Sequence, residues 1–342
     1  MKRAYLSLML YVALAACGPA RVGAQGLQFS QYYNAPMLLN PANTALMPDN
    51  EYRAGANYRN QWSAVPVPYR TMSAYADFQA FYNETAGNWL GLGLAFFNDK
   101  AGNGDLSLNR FEGFAAYHLQ MGYTTMLSAG LSAAYAQRSV DYNKLTFDAQ
   151  WDGVTFNNTL PSNEQAGLIR TRFLDVGAGL NFAWFPTNAV YIKLGGGVAH
   201  VNQPKETFYN GTNRLGMRPT VNLDAFFRIK ERFIANPSVY YTTQKSASQL
   251  VFGSLFQYLL EGEGLSSTQL LLGAFHRWQD ALIPAFGFEM GGLRVMSSYD
   301  FTLSGMKDAN RSRGAFEIGI MYRGLYGNTD GGNRNLYNCP RF

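Results

Sequence analysis

"RFLDVGAGLNFAWF", residues 172–185, alternates large apolar residues with polar or very small ones along its whole length. In an extended chain, successive side chains point to opposite faces. Leu174, Leu180 and Trp184 therefore share one face, while Asp175 and Asn181 share the other. This pattern is typical either of a half-buried sheet in a soluble protein or of a barrel wall with lipid outside and a polar interior.

The number and spacing of such segments favour the barrel. We count about fourteen of them, each near the ten residues that a tilted membrane-spanning strand needs. An even count, with tight connections alternating with longer polar ones, is typical of bacterial outer-membrane barrels. The third, fifth, seventh and thirteenth connections are expected to be long. The predicted strands are residues 50–60, 69–80, 88–98, 107–120, 123–137, 172–185, 189–201, 217–229, 233–244, 248–260, 266–277, 281–290, 293–303 and 313–324.

The composition agrees with an all-β transmembrane antiparallel β-barrel. Charged residues make up 15% of the chain, against about 25% in ordinary soluble domains. The net charge of +5 comes without any basic run, so no nucleic-acid partner is expected. The three histidines show no metal-ligand spacing, and no serine-centred nucleophile motif occurs. We therefore expect no cofactor, no bound metal and no catalytic residues, and we do not interpret the chain as an enzyme.

The N-terminus has the layout of a secretory signal peptide, with a basic start at Lys2 and Arg3 followed by a short apolar run. Two processing sites remain open. Cleavage after Ala24 makes Gln25 the first residue, whereas a lipobox before Cys17 makes that cysteine a lipid-carrying N-terminus. Either way the chain leaves the cytoplasm. The predicted plan is a signal peptide at 1–24, an opening segment at 25–48, the barrel at 49–324 and a periplasmic C-terminal tail at 325–342.

Charged residues on the polar faces of the predicted strands carry both signs in nearly equal number. Unpaired charges are costly inside a narrow barrel, so mixed signs favour ion pairs that fill the lumen. A selective pore more often shows one dominant sign. We therefore predict a closed or plugged barrel. The residues of this predicted ionic network are Arg110, Glu112, Asp175, Lys193, Asp224, Arg228, Glu289, Arg294, Asp300, Glu317 and Arg323.

The opening segment follows no regular period. Its stretch "LQFSQYYNAPMLLNPANTAL", residues 27–46, is rich in aromatic residues and amides and contains Pro36 and Pro41, which argue against a strand. We predict that it is ordered in the lumen or at the periplasmic rim. This stretch resembles the N-terminal signature of the PorP/SprF family, outer-membrane proteins of the type IX secretion system. Further matching pieces are "YRNQW" at 58–62, "HRWQDALIPAFGFE" at 276–289, "SYDFTLSGM" at 298–306 and "CPRF" at 339–342.

The resemblance implies a barrel without enzymatic activity, surrounded by outer-membrane lipid. It further implies that the protein acts together with the periplasmic ring and peptidoglycan-binding components of the secretion system. Family members also aid the secretion or surface attachment of cargo such as adhesins, through secreted C-terminal domains, which implies a link to gliding motility. The residues expected to dock partners are Phe29, Gln31, Tyr32, Tyr33, Asn34, Asn40, Pro41, Cys339, Pro340, Arg341 and Phe342.

Two other functions remain as alternatives. One is an outer-membrane porin or hydrophobic-compound transporter, and the other is a barrel enzyme that acts on lipid. For either, the topology prediction is the same, because an even strand count puts both ends of the barrel on one side. The turn lengths predict that the inserts 138–171 and 202–216 face the exterior, while the N-terminus and the tail face the periplasm.

Overall fold

The computed structural model describes residues 29–326, except for 48–49, 63–68, 84, 158, 165–166, 209–210, 263–266 and 306. The signal-peptide prediction for 1–24 and the choice between Ala24 and Cys17 lie outside the described residues. The same holds for the tail beyond Tyr326.

Within the described residues, fourteen antiparallel strands form one closed barrel, in which each strand pairs with its neighbours in the sequence. The first and last strands close the ring, with Tyr52 opposite Gly324 and Gln61 opposite Ala315. The predicted fourteen-stranded antiparallel barrel is confirmed. The strands are β1 (Tyr52–Gln61), β2 (Tyr69–Asn83), β3 (Asn88–Ala101), β4 (Leu106–Gln120), β5 (Thr125–Asp141), β6 (Leu168–Thr187), β7 (Val190–Ala199), β8 (Arg218–Ile229), β9 (Phe233–Gln244), β10 (Ala247–Glu261), β11 (Thr268–Arg277), β12 (Ala281–Met290), β13 (Leu293–Thr302) and β14 (Arg313–Gly324).

The alternation in the sequence separates the two faces of the wall. In β6, Leu174 is 67% exposed, whereas its neighbour Asp175 is 1% exposed. Other strands repeat this arrangement, because a residue period of two places every second side chain on the same face. The barrel therefore turns an apolar surface outward and polar side chains inward. Large exposed apolar residues on the outer surface include Leu94, Phe111, Leu131, Leu180, Phe286 and Ile320.

The connections differ in length at the two ends of the barrel. At one end, here called the short-turn end, they range from two residues at 188–189 to six at 262–267. The opposite end, here called the long-connection end, carries the two longest connections, 142–167 and 200–217. This asymmetry agrees with the pattern predicted from the sequence.

The third connection is shorter than predicted. β3 and β4 stay paired as far as Ala101 and Leu106, so only residues 102–105 lie between them. Asp99, which follows the predicted end of β3 at residue 98, pairs with Leu108 of β4, and its carboxylate accepts a 2.7 Å hydrogen bond from the Thr71 hydroxyl of β2. Its charge resembles that of a loop residue, but a cross-strand partner satisfies it within the sheet.

Helical structure is brief in the described part of the chain. α1 (Pro36–Leu39) and a 3-10 helix at Pro41–Asn43 precede the first strand, and α2 (Lys307–Asn310) lies between β13 and β14. Two more 3-10 turns, Tyr142–Lys144 and Asp148–Gln150, lie in the connection after β5. None of the described helices has the length and apolar character needed to cross a membrane.

Candidate functional site

The described part of the opening segment, residues 29–47, runs along the inside of the barrel. Phe29 lies toward the long-connection end, where its ring meets that of Phe97 edge-to-face with centroids 5.9 Å apart. Toward the short-turn end, the carbonyl of Met47 accepts a 2.5 Å hydrogen bond from the side chain of Gln79. Most side chains between these two points are buried. The chain then enters β1 at the short-turn end.

Local chemistry explains why this segment turns repeatedly and does not pair as a strand. Pro36 and Pro41 lack a backbone N–H, and each begins a short helical turn. The Asn40 side chain accepts the N–H of Ala42 at 2.9 Å and caps the second turn. The Thr44 hydroxyl donates to the Pro41 carbonyl at 2.7 Å. The segment thus satisfies part of its own backbone internally.

Inward-facing glycines of the wall make room for the segment. A Cβ atom on Gly130 of β5 would lie 2.5 Å from the backbone nitrogen of Ala42. One on Gly91 of β3 would lie 2.3 Å from the carbonyl oxygen of Thr44. No side chain fits at such distances unless the backbone of the segment shifts. These glycines, which resemble ordinary strand glycines in the sequence, therefore mark the path of the segment.

Two carboxylates hold the start of the segment near the long-connection end. Glu317 of β14 accepts the backbone N–H groups of Ser30 and Gln31, both at 2.8 Å. Arg59 of β1 pairs with Glu317 at 3.0 Å and with Asp300 of β13 at 2.8 Å. All three charged side chains are buried. Arg59 therefore bridges two buried acids that also bind the segment, since the Ser30 hydroxyl donates to Asp300 at 2.9 Å.

A further carboxylate acts in the same way near the short-turn end. Asp77 of β2 accepts the N–H of Ala45 at 2.7 Å and pairs with Arg53 of β1 at 2.5 Å. The Asp77 side chain is 0% exposed and that of Arg53 is 8% exposed. Trp89 of β3 donates its indole N–H to the Ala45 carbonyl at 2.9 Å. Both polar backbone groups of Ala45 are therefore bound to the wall.

Aromatic contacts hold the middle of the segment. The rings of Tyr32 and Tyr240 meet edge-to-face with centroids 4.7 Å apart, and Tyr33 stacks on Phe275 at 5.2 Å. The Tyr32 hydroxyl also bonds with that of Ser238. The aromatic residues that distinguish the opening segment in the sequence are thus packed into a buried cluster with β9 and β11.

Amide side chains join the segment to β6 and β7. Asn40 donates to the Leu180 carbonyl at 3.1 Å and to the Asn181 side chain at 2.9 Å. The side-chain oxygen of Asn43 accepts from Asn181 at 2.9 Å and from Lys193 at 2.8 Å. The Asn40 NH2 group and the Asn43 oxygen are therefore paired with the wall, while the Asn40 oxygen and the Asn43 NH2 group bond within the segment, as burial of polar groups requires.

The residues of the predicted ionic network form separate clusters. Arg110 pairs with Glu112 at 2.9 Å and with Asp175, which also bonds His200 at 2.7 Å. Asp300 and Glu317 share Arg59, as described above. Arg228 is exposed near the end of β8. The remaining pairs are Glu289 with Arg294 and Arg323, and Lys193 with Asp224.

The sequence analysis missed four charged residues that the structure brings into this network. One of them, Arg277, pairs with Asp300 at 2.9 Å and donates to the Ser30 hydroxyl at 2.7 Å. All four lie within predicted strands. A charged residue inside a segment of membrane-spanning length could therefore have identified them in the sequence. The four residues are Arg53, Arg59, Asp77 and Arg277.

Most residues expected to dock partners do not form a contact patch. A partner outside the barrel cannot reach buried side chains that the wall encloses, so their placement favours lumen filling over a rim surface. Tyr33 is half-buried. The other expected residues, Cys339, Pro340, Arg341 and Phe342, lie outside the described residues. Buried inside the barrel are Phe29, Gln31, Tyr32, Asn34, Asn40 and Pro41.

The described part of the opening segment runs from one end of the barrel toward the other. β1 begins and β14 ends at the short-turn end, as the even strand count requires. Ser30, however, lies beside Asp300 and Glu317, toward the long-connection end. The described chain therefore starts at the end opposite to the first strand, because the segment passes through the lumen before β1 begins.

The described histidines serve packing and hydrogen bonding. The ring nitrogens of His118 lie 2.8 Å from the Ser128 hydroxyl and 2.8 Å from the Thr44 carbonyl. His276 packs edge-to-face against Trp278, with centroids 5.9 Å apart. Across the described part of the chain, no group of three or more His, Cys, Asp or Glu residues is arranged to hold a metal ion.

Solved barrel structures are similar to this chain in fold. A TodX monoaromatic hydrocarbon channel mutant matches with a TM-score of 0.52 and 10% identity, over 89% of this chain and 97% of that chain. The Ralstonia pickettii toluene transporter TbuX matches with a TM-score of 0.51 and 10% identity, over 85% and 93%. At this identity the likeness concerns the fold alone. No curated protein sequence matches the chain.

The family model described as type IX secretion system membrane protein PorP/SprF matches residues 22–322. This range includes the opening segment from its start, and it ends two residues before the last strand does. Together with the barrel likeness, the family points to the outer membrane. Because the match covers most of its length, the chain belongs to the PorP/SprF family of type IX secretion system membrane proteins.

Proposed function

We propose that this protein is an outer-membrane component of the type IX secretion system that acts as a closed platform, without pore or enzymatic activity of its own. The filled lumen carries the proposal. Residues 29–47 are bound to the wall through Glu317, Asp300 and Asp77, so they occupy lumen space that the wide aqueous path of a porin would need.

The outward face supports embedding in a membrane. Phe111, Leu131 and Leu174 project from three different strands as exposed side chains. A continuous apolar surface of this kind is unfavourable in water, whereas in a bilayer it contacts lipid tails. Membrane insertion with the short turns in the periplasm then follows the usual arrangement of outer-membrane barrels.

The rim at the short-turn end supports a contact with the periplasmic ring and peptidoglycan-binding components. Phe81, at the end of β2, is 84% exposed, and Tyr123, in the turn after β4, is also exposed. Aromatic residues are favoured anchors in protein interfaces. We propose that these two residues contribute to the docking surface, and that the assembled complex handles secreted C-terminal domains of cargo such as adhesins.

Crosslinking and pull-down from the outer membrane test this function. Ring components should co-purify with the full chain, and markedly less with the double variant Phe81→Ser/Tyr123→Ser. Val154→Ser, which removes an exposed apolar side chain at the long-connection end, is the matched control and should leave the yield unchanged. If the wild-type protein brings no ring component with it, the proposed function is wrong.

A planar-bilayer measurement separates the platform from the porin or transporter alternative. The purified full chain should show no stable channel, because the segment occupies the lumen. A stable open channel would contradict the platform. Deleting residues 336–342 tests the tail: the barrel should still assemble in the outer membrane while partner co-purification or cargo display is lost.

A further inference from the structure

A cavity of about 430 Å³ remains between the opening segment and the wall, toward the long-connection end. Phe29 and Leu39 of the segment line one side of it, and Phe114 and Phe173 of the wall line another. Concave sites of this size with apolar and aromatic walls are typical of small-molecule binding. The segment therefore leaves a partly open space with several apolar walls on this side of the lumen.

Charged side chains also line this cavity, and most of them are paired. Arg110 is compensated by Glu112 at 2.9 Å, and Arg138 by Glu206 at 3.0 Å. Arg218, the first residue of β8, is different. Its side chain lines the cavity and makes no hydrogen bond or ion pair with any residue that the structure describes, although the Glu112 and Asp175 carboxylates attract it at longer range and Arg110 repels it.

The position of Arg218 makes this lack of a partner significant. Arg218 lies on the same face of β8 as Thr220 and Asn222, because the three residues are two positions apart. The Thr220 and Asn222 side chains are buried on this inward face, and Arg218 is half-buried. Its guanidinium carries five N–H donors and a permanent positive charge. A half-buried cation without a direct hydrogen-bonding partner is unfavourable, and an anion in the cavity would relieve that cost.

We propose that this cavity binds an amphipathic carboxylate, with the carboxylate on Arg218 and an apolar body against Phe29, Phe114 and Phe173. The Phe29, Phe114 and Phe173 side chains offer no hydrogen-bonding groups, which favours an apolar body beside them. A single anionic head suffices, because Arg110 and Arg138 already have carboxylate partners and Lys245, the other cation of the lining, is exposed to solvent. The Arg218 guanidinium can donate two parallel N–H···O hydrogen bonds to the two oxygens of one carboxylate. This inference does not depend on the proposed secretion role.

Calorimetric titration of the full chain in lipid nanodiscs tests the site, with decanoate as the probe and decanol as its neutral counterpart. Empty nanodiscs provide the blank for partition into lipid. Decanoate should bind saturably, and more tightly than decanol. Arg218→Met should weaken decanoate binding by about 10- to 100-fold, the effect of losing a hydrogen bond to a charged group. Arg218→Lys, which keeps the charge, should retain part of the affinity.

Two further variants complete the experiment. Arg170→Gln removes an exposed arginine from β6 at the same end of the barrel and should change nothing. Ala199→Trp fills the cavity without removing a charge and should abolish saturable binding. Heat-modifiable migration on a gel shows which variants are folded barrels, and Ala199→Trp serves as the test if Arg218→Met does not fold. Absence of saturable decanoate binding in the wild type, or equal binding by wild type and both site variants, overturns the proposal.

Discussion

The Asp77 carboxylate accepts the backbone N–H of Ala45 at 2.7 Å, so a wall strand and the segment inside the barrel share one buried charge. Arg53 compensates that charge from the neighbouring strand. Glu317 makes the same arrangement toward the other end of the barrel, where it accepts the N–H of Ser30 and pairs with Arg59. Wall and segment are therefore coupled energetically, so a substitution in either one should change the stability of the other.

Asp77→Asn should destabilise the whole barrel. The substitution leaves Arg53 buried without its counter-charge, and breaking a buried pair in this way typically costs about 3–5 kcal/mol. Urea unfolding in lipid vesicles, followed by tryptophan fluorescence, measures the change. Asp105→Asn is the control, because its partner Lys144 is solvent-exposed and an exposed pair contributes little. Equal stabilities of the two variants would contradict the shared-charge interpretation.

Gly130→Val should displace the segment while leaving the wall intact. The new side chain would occupy the space of the Ala42 backbone, and the strand itself tolerates valine well. We expect protease cleavage within residues 29–47 and a measurable ion conductance, both absent in the wild type. Gly196→Val is the matched control, since no atom lies within 4 Å of its added Cβ. A Gly130→Val protein that resists protease as the wild type does would show that the segment is not held there.

Glu317→Ala should release the start of the segment at the long-connection end only. Ser30 and Gln31 lose the acceptor of their backbone N–H groups, while Ala45 remains bound to Asp77. A cysteine placed at Ser30 should therefore react with a membrane-impermeant maleimide from outside the cell in the Glu317→Ala background. It should be protected when Glu317 is present. Labelling that is equal in both backgrounds would argue against this clamp.

Single-cysteine variants in a Cys339→Ser background should establish the orientation of the barrel. Val154 lies exposed in the long connection 142–167, and Glu231 lies exposed in the short turn after β8. A membrane-impermeant maleimide should label Val154→Cys in intact cells and should leave Glu231→Cys unmodified until the outer membrane is broken. The reverse pattern would place the long connections in the periplasm.

The sequence by itself determined the wall. Alternation such as that of Leu174 and Asp175 is a local property, and each strand of this barrel pairs with its neighbour in the chain. Strand number, strand order and the two faces therefore follow from nearby residues alone. The strand ends do not follow from local pattern in the same way, as the short third connection shows, because a polar residue such as Asp99 is satisfied by Thr71 only across strands.

Only the tertiary structure decided what occupies the interior of the barrel. Ser30 and Glu317 are separated by 287 positions, and no local pattern links them. Whether a proline-rich, amide-rich segment lies in the lumen or at the rim depends on distant carboxylates and on glycines such as Gly130 that leave space for it. A buried polar group is stable only with a partner in reach. For this segment the partners come from strands on all sides of the barrel, which a linear sequence does not bring together.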